Sequence, residues 1–259
     1  PAVSPAQWFQ AAEQGDVRAL ERWHERGALK KQRFEADRVK ALPGQGRPSL
    51  ARLLNAKEQT ALDVALEKDQ ADYAIRLLEL ERFAPREMPK ELFQPQQLAG
   101  QIKASEDTFE RLMTLMLAQG HPLNGDQPPL ELAVRKDLLP RIQTLLRMGA
   151  DPNARYKERP MLCVALATES RNAEAMKLLL DAGADPNALD DSGSFAATAL
   201  MYAAAMWTNP ADEVMVEKIE ALLKAGADPE VALPLDRNDP TQQSCAEDLV
   251  KRPMKPLFK

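Results

Sequence analysis

The chain has 259 residues, 44% hydrophobic, 28% charged and only 5% aromatic, with a formal net charge of −5. There is enough apolar material for a continuous core but not for a bulky aromatic one, and the acidic balance argues against a general nucleic-acid binder. No apolar run approaches the roughly 18 residues that span a membrane as a helix, and Cys163 and Cys245 lie too far apart in sequence for a zinc or redox motif.

The chain begins Pro1-Ala2-Val3-Ser4-Pro5 without an initiator Met. A leader of this kind suits a mature exported chain, so the expected location is periplasmic or exported, with a cytoplasmic one as the alternative. Residues 5–27 read as a first helix pair. Phe9, Ala11 and Ala12 fall on one helix, Gly15-Asp16 makes a short link, and Leu20 and Trp23 fall on a second helix that stops at Gly27. His24 reads as a packed or edge residue of that helix. Residues 28–58 break the pattern: Lys30, Lys31, Arg33, Arg38, Lys40, Arg47 and Arg52 accompany Pro43-Gly44-Gln45-Gly46-Arg47-Pro48. A solvated insertion with some helix is expected there, and a basic finger offered to an acidic partner is the alternative. Gly44-Gln45-Gly46 lacks the strand, third glycine and helix of a nucleotide site.

Residues 59–82 form a second pair, with Ala74, Leu77 and Leu78 apolar and Glu81 at the stop position. Ala65 and Ala133 are 68 residues apart, which leaves room for a unit at 94–120 that starts at Gln94-Pro95-Gln96-Gln97-Leu98-Ala99 and continues through Met113, Met116 and Leu117. Units at 127–149, 160–183 and 197–226 follow. Their organising phrase is Leu145-Leu146-Arg147-Met148-Gly149-Ala150-Asp151-Pro152-Asn153. It recurs as Leu179-Leu180-Asp181-Ala182-Gly183-Ala184-Asp185-Pro186-Asn187 and as Leu222-Leu223-Lys224-Ala225-Gly226-Ala227-Asp228-Pro229-Glu230, with a blurred copy at 116–124. The four glycines are 29, 34 and 43 residues apart, the period of a stacked-repeat protein. Apolar residues stand three, four and seven positions before each glycine, which is one face of a helix. The glycine supplies the left-handed stop and Asp-Pro-Asn the turn.

A second phrase precedes each helix: Thr60-Ala61-Leu62-Asp63-Val64-Ala65, Pro128-Pro129-Leu130-Glu131-Leu132-Ala133, Pro160-Met161-Leu162-Cys163-Val164-Ala165 and Thr198-Ala199-Leu200-Met201-Tyr202-Ala203. It resembles the ankyrin signature T-P-L-H-x-A, and with Gly-Ala-Asp-x-Asn it identifies the chain as a divergent member of the ankyrin-repeat family, expected to be bacterial. Asp63, Glu131, Cys163 and Met201 stand where the family has His, which points to looser turns. The resemblance implies an all-α solenoid of about six helix pairs (5–27, 59–82, 94–120, 127–149, 160–183, 197–226), an insertion at 28–58 and a capping helix at 241–251. The sixth unit has 23 residues between Ala203 and Gly226 against 16 in the fourth, and the excess, Trp207-Thr208-Asn209-Pro210, is expected to expose Trp207.

No HExxH, CxxC, G-x-S-x-G or P-loop sequence occurs, and His24 and His121 lie in no metal-ligand pattern. The string Asp185, Asn187, Asp190, Asp191, Gly193 lacks the spacing and terminal Glu of a calcium loop. No catalytic residue, metal or cofactor is expected. By resemblance, the chain binds another protein through a concave face of hairpin tips and first helices, as a monomer. The expected contacts are Arg155, Tyr156, Lys157, Asp190, Phe195, Trp207 and Arg237, the aromatic ones contributing about 2 kcal/mol each if they are anchors. One such role is an immunity or inhibitor protein that neutralises a toxin or enzyme. The alternatives are an intracellular scaffold with several partners and an enzyme with its site in 28–58.

Overall fold

Each repeated phrase builds the helix end that its residues require. Gly120, Gly149, Gly183 and Gly226 have φ of +89°, +95°, +93° and +92°, backbone that only glycine adopts without cost. In every copy the glycine N–H donates to the carbonyl three residues back, and the next N–H donates to the carbonyl five back. Gly149 bonds Leu146 (3.0 Å) and Ala150 bonds Leu145 (2.9 Å); the blurred copy does the same, Gly120 to Leu117 (2.9 Å) and His121 to Met116 (3.1 Å). These bonds satisfy carbonyls that a helix end otherwise leaves without partners. The apolar slots divide. The residues seven and four before the glycine, such as Ile142 and Leu145, are buried, whereas Leu117, Leu146, Leu180 and Leu223 are half-buried at the helix edge.

The computed structural model describes residues 2–35, 38–42, 48–81, 105–125, 128–168, 173–192, 196–209, 211–231, 233–236 and 239–245. They fall into two units, Pro1–Leu123 and Asn124–Lys259. The first unit holds α1 (Pro5–Gln14), α2 (Val17–Glu25), α3 (Ala28–Lys31), α4 (Ala61–Glu67), α5 (Ala71–Leu80) and α6 (Glu106–Ala118). Ser4 and Gln7 close a capping box on α1, and Thr60 and Asp63 close one on α4. Asp63 therefore fills the histidine slot by tightening the helix start. The core includes Trp8, fully buried and tilted against Trp23 at 5.8 Å, with Leu20, Leu62, Tyr73 and Phe109.

Glu81 does not take the glycine role: its φ is −129° and α5 ends in extended chain. A β-carbon makes left-handed backbone costly, and the freed carbonyls find another partner. Gln119, buried at the end of α6, donates through Nε2 to Leu78 O (2.8 Å) and Glu81 O (3.2 Å). The start of the third unit, 94–104, lies outside the described residues. Residues 28–58 are more than solvated loop where described. Leu29, Leu42, Leu50 and Leu53 are buried, Ala41 bridges Leu53, and Leu42 N–H donates to Arg52 O (2.7 Å). Gln32 pins the N-terminal segment through both directions of its amide, to Val3 N and O.

The second unit alternates helix pairs and hairpins. α7 (Pro129–Arg135) and α8 (Leu139–Arg147) are followed by β1 (Arg155–Tyr156) and β2 (Arg159–Pro160), then α9 (Met161–Leu166) and α10 (Glu174–Asp181). β3 (Leu189–Asp190) and β4 (Ala197–Thr198) lead into α11 (Ala199–Met206) and α12 (Glu213–Lys224). First helices α7, α9 and α11 pack in one row and second helices α8, α10 and α12 in another. Small side chains at Ala133, Ala165 and Ala203, all buried, permit the close approach of the first row.

Asparagines tie successive turns together. Asn153 Nδ2 donates to Gly183 O (3.1 Å) while its Oδ1 accepts from Asp185 N–H (2.7 Å). Asn124 bonds Gly149 O and Asp151 N–H in the same way, and Asn187 bonds Gly226 O and Asp228 N–H. Glu230 occupies the next such position and has no amide to give, so the ladder stops there.

The expected helix at 241–251 is corrected over its described part. β5 (Leu233–Asp236) pairs antiparallel with β6 (Asp239–Ser244), Leu233 opposite Ser244. Pro240 biases Asp239 to extended backbone, and Thr241-Gln242-Gln243-Ser244 offers no apolar helical stripe. Residues 246–251 lie outside the described part.

Candidate functional site

The hairpin tips of the second unit gather four of the residues singled out in the sequence. The β1–β2 turn places Lys157 and Glu158 at φ of +49° and +68°. Two central residues with positive φ suit a tight hairpin but normally call for Asn-Gly, so this turn holds strain that its surroundings must sustain. Arg155 is the brace. Its Nη1 donates to Glu158 O (2.5 Å), its Nη2 donates to Leu189 O on the next hairpin (2.8 Å), and Nη1 lies 3.6 Å from Asp191 Oδ1. Tyr156 is half-buried, and the Lys157 ammonium lies 5.2 Å from the centre of its ring.

Asp190 is not the exposed contact that its loop position suggests. It is fully buried, and its Oδ1 accepts from the Ser192 N–H (3.0 Å) and hydroxyl (2.6 Å). Its Oδ2 forms an ion pair with Arg159 Nε at 2.9 Å, joining β2 to β3. Burial opposes the charge, but the two Ser192 bonds and the Arg159 guanidinium hold the carboxyl below the usual carboxylate range. Asp190 and Arg159 thus position the tips. Behind them, burial first and the Asp190 carboxylate second push the Cys163 thiol up to about 12, which keeps it protonated and inert.

Trp207 is also corrected. It is 5% exposed, so the longer sixth turn folds the indole inward, and its backbone N–H closes α11 onto Ala203 O (2.9 Å). The neighbouring Met206 faces out instead, at 50% exposure, and Leu189 on the tip is 39% exposed. Neither Leu189 nor Met206 was among the expected contacts. The signal for Met206 was available: Ala199-Leu200-Met201-Tyr202-Ala203-Ala204-Ala205-Met206 has no charged side chain, so some apolar residue must meet water. Tyr202, four residues before Met206 and on the same helix face, is half-buried. Its phenol is raised by burial and then by the nearby Asp190 carboxylate. Phe195 and Arg237 lie outside the described residues.

Two further groups resemble catalytic ones. Lys218 is buried and its ammonium is pushed below the usual range by burial, with Asp137 and Asp212 opposing the shift. Glu131, in a histidine slot, is fully buried with Arg135 Nε 2.9 Å from Oε1 in an ion pair whose angle makes no hydrogen bond. Lys218 faces the Asp137 and Asp212 carboxylates and Glu131 faces Arg135, settings that structural ion pairs also produce. Among the described residues no group of three or more His, Cys, Asp or Glu side chains is placed to hold a metal ion, and no helix is long and apolar enough to cross a membrane.

Residues 130–232 match the family model described as ankyrin repeats, in three copies. Human "Ankyrin repeat and SOCS box protein 6" is 30% identical over 162 residues, 59% of this chain and 37% of that protein. The chain therefore spans little more than a third of the length of the curated relatives it matches first. An ankyrin repeat domain from Acinetobacter baumannii AYE superposes with a TM-score of 0.61 at 20% identity, covering 85% of this chain and 98% of that one. The ankyrin repeat domain of Bcl-3, a member of the IkappaB family, gives 0.64 at 19% identity, covering 99% and 98%. Ankyrin repeats are protein–protein interaction modules. Residues 130–232 are thus ankyrin repeats by sequence, and the chain has the ankyrin-repeat fold.

Proposed function

We propose that the chain is a non-catalytic module that seats a partner protein on the hairpin tips and first helices of its second unit. Tyr156, Lys157, Leu189, Tyr202 and Met206 are the contacts, and Arg155, Arg159 and Asp190 hold the tips in position. One observation carries the reading. The large hydrophobic side chains left exposed among the described residues, Leu189 and Met206, belong to the same repeat, one on its tip and the other on its first helix. Apolar and aromatic side chains on a braced surface are what a binding site needs, because little freedom is lost on contact. In the finer form of this reading the partner is a toxin or enzyme that the chain holds inactive, as an immunity protein does.

The test is affinity capture from extract of the source cells, with the wild-type chain and a Leu189→Asp/Met206→Asp variant as paired baits. A protein retained by the first and at least about tenfold depleted on the second is expected, since losing one anchor costs about 2 kcal/mol. Identical catches would refute the surface. The finer form requires that the captured protein lose its own activity in proportion to added chain; undiminished activity at saturation would rule it out.

A further inference from the structure

The second helices of residues 124–259 carry a surface that the tip reading leaves unused. α10 and α12 lie side by side, tied by Lys177 Nζ, which donates to Glu174 Oε1 (3.2 Å) and Glu217 Oε1 (2.5 Å). Beside that tie the helices leave an open groove of about 800 Å³. Its apolar lining is low: Leu180 and Ala184 from one side, Ala221 and Ala225 from the other. Alanines at these positions leave unfilled the space a large side chain would take.

Charge distinguishes this surface from the tips. Lys177 and Glu217 in the lining are paired with each other, which leaves two carboxylates, Asp181 and Glu220, against one ammonium, Lys224, so the groove keeps a negative excess. Across 139–153, 174–187 and 213–230, the second helices and their turns, there are nine acidic and five basic side chains, and two of the basic ones, Arg141 and Lys218, are buried. The tip segments 155–160 and 189–192, by contrast, carry three of each sign.

We propose that the α10–α12 groove is a second docking surface, and that it takes a lysine- or arginine-rich amphipathic helix of a partner protein. The apolar face of that helix fills the space over Leu180 and Ala221, and its cations meet Asp181 and Glu220. An amphipathic helix laid in a groove needs both parts: the exposed carboxylates attract and orient it, and the apolar contact retains it.

The test is fluorescence anisotropy on the full chain with three labelled helical peptides. One has Leu at helical spacing among Lys, the second has Ser in place of Leu, and the third has Glu in place of Lys. The Leu/Lys peptide is expected to bind at least about tenfold tighter than either control, with affinity falling as salt rises. Asp181→Lys/Glu220→Lys should weaken it by about tenfold or more, whereas Glu25→Lys/Asp72→Lys, an equal charge change on the other unit, should shift it less than about threefold. Ala221→Trp, which plugs the groove without altering charge, should abolish binding while the circular dichroism spectrum is unchanged. Equal affinity for the Lys/Ser peptide, equal losses from the two charge pairs, or no binding of the Leu/Lys peptide would overturn the proposal.

Discussion

Asn153→Ala tests the idea that the turns are held to one another by side-chain amides as well as by core packing. The substitution removes two hydrogen bonds that link consecutive repeats, to Gly183 O (3.1 Å) and from Asp185 N–H (2.7 Å). The local bond from Asn153 N–H to Asp151 Oδ1 (2.8 Å) involves the backbone and survives. Asn153 is exposed, so water takes over part of each bond and the loss sits at the low end of the range, about 0.5–1 kcal/mol each. The total, about 1–2 kcal/mol, corresponds to a fall of roughly 3–6 °C in Tm for a protein of this size. Asn153→Asp keeps the acceptor for Asp185 N–H and loses the donor to Gly183 O, so at neutral pH it should show at least half of the effect. Glu230→Asn restores the ladder residue ahead of β5 and β6, which present no glycine turn among the described residues, and should stay within about 0.5 kcal/mol of wild type. Urea and thermal unfolding followed by circular dichroism measure all three. If Asn153→Ala is no more destabilising than Glu230→Asn, the ladder does not hold the repeats together.

Gln119→Ala leaves the Leu78 and Glu81 carbonyls without the cap that replaces the missing glycine, and as the site is largely buried it should cost about 1–3 kcal/mol in urea unfolding. Lys157→Asn/Glu158→Gly supplies the residues the β1–β2 turn favours; it should raise stability by about 1–2 kcal/mol while weakening partner capture through loss of Lys157. Asp190 has a folded pKa below its unfolded one, so its contribution is complete above the unfolded value, near 4, and is lost as pH falls through the folded value. Asp190→Asn should therefore be less stable than wild type at pH 7, with the gap closing as the pH drops below about 4; a gap of constant size would contradict the assigned contacts. At pH 8 a thiol reagent should spare Cys163 in the native chain and modify it only in denaturant, since its thiol is buried and titrates at about 12.

The repeat architecture was legible because it rests on short-range chemistry. Glycine, Asp-Pro-Asn and three apolar slots specify a helix end within twelve residues, and even Gly120 with its altered neighbours closes the same bonds. What the sequence hid were substitutes drawn from elsewhere in the chain. Glu81 resembled a degenerate stop, but its carbonyl is capped by Gln119, 38 residues away. Asp63 departed from the histidine pattern but closes a capping box with Thr60, whereas Glu131 pairs only with Arg135 of its own helix. The site was half legible for the same reason. Arg155, Tyr156 and Lys157 belong to a turn whose position the repeat dictates. Loop position suggests exposure for Asp190 and Trp207, yet both are buried, Asp190 through its contacts with Ser192 and Arg159 that a linear pattern does not reveal. Thr241–Ser244 shows the limit of analogy: the position suited a capping helix, but Pro240 and the polar run form a strand.

The central claim, that a protein is bound by the tips and first helices of the second unit, is tested most directly by hydrogen exchange on the chain alone and with its captured partner. The account predicts slowed exchange at 155–160, 189–192 and 202–206, with the rest of the unit unchanged except where a second partner segment reaches 174–181 and 213–224. Saturating partner that leaves 155–160, 189–192 and 202–206 at their free rates would contradict it.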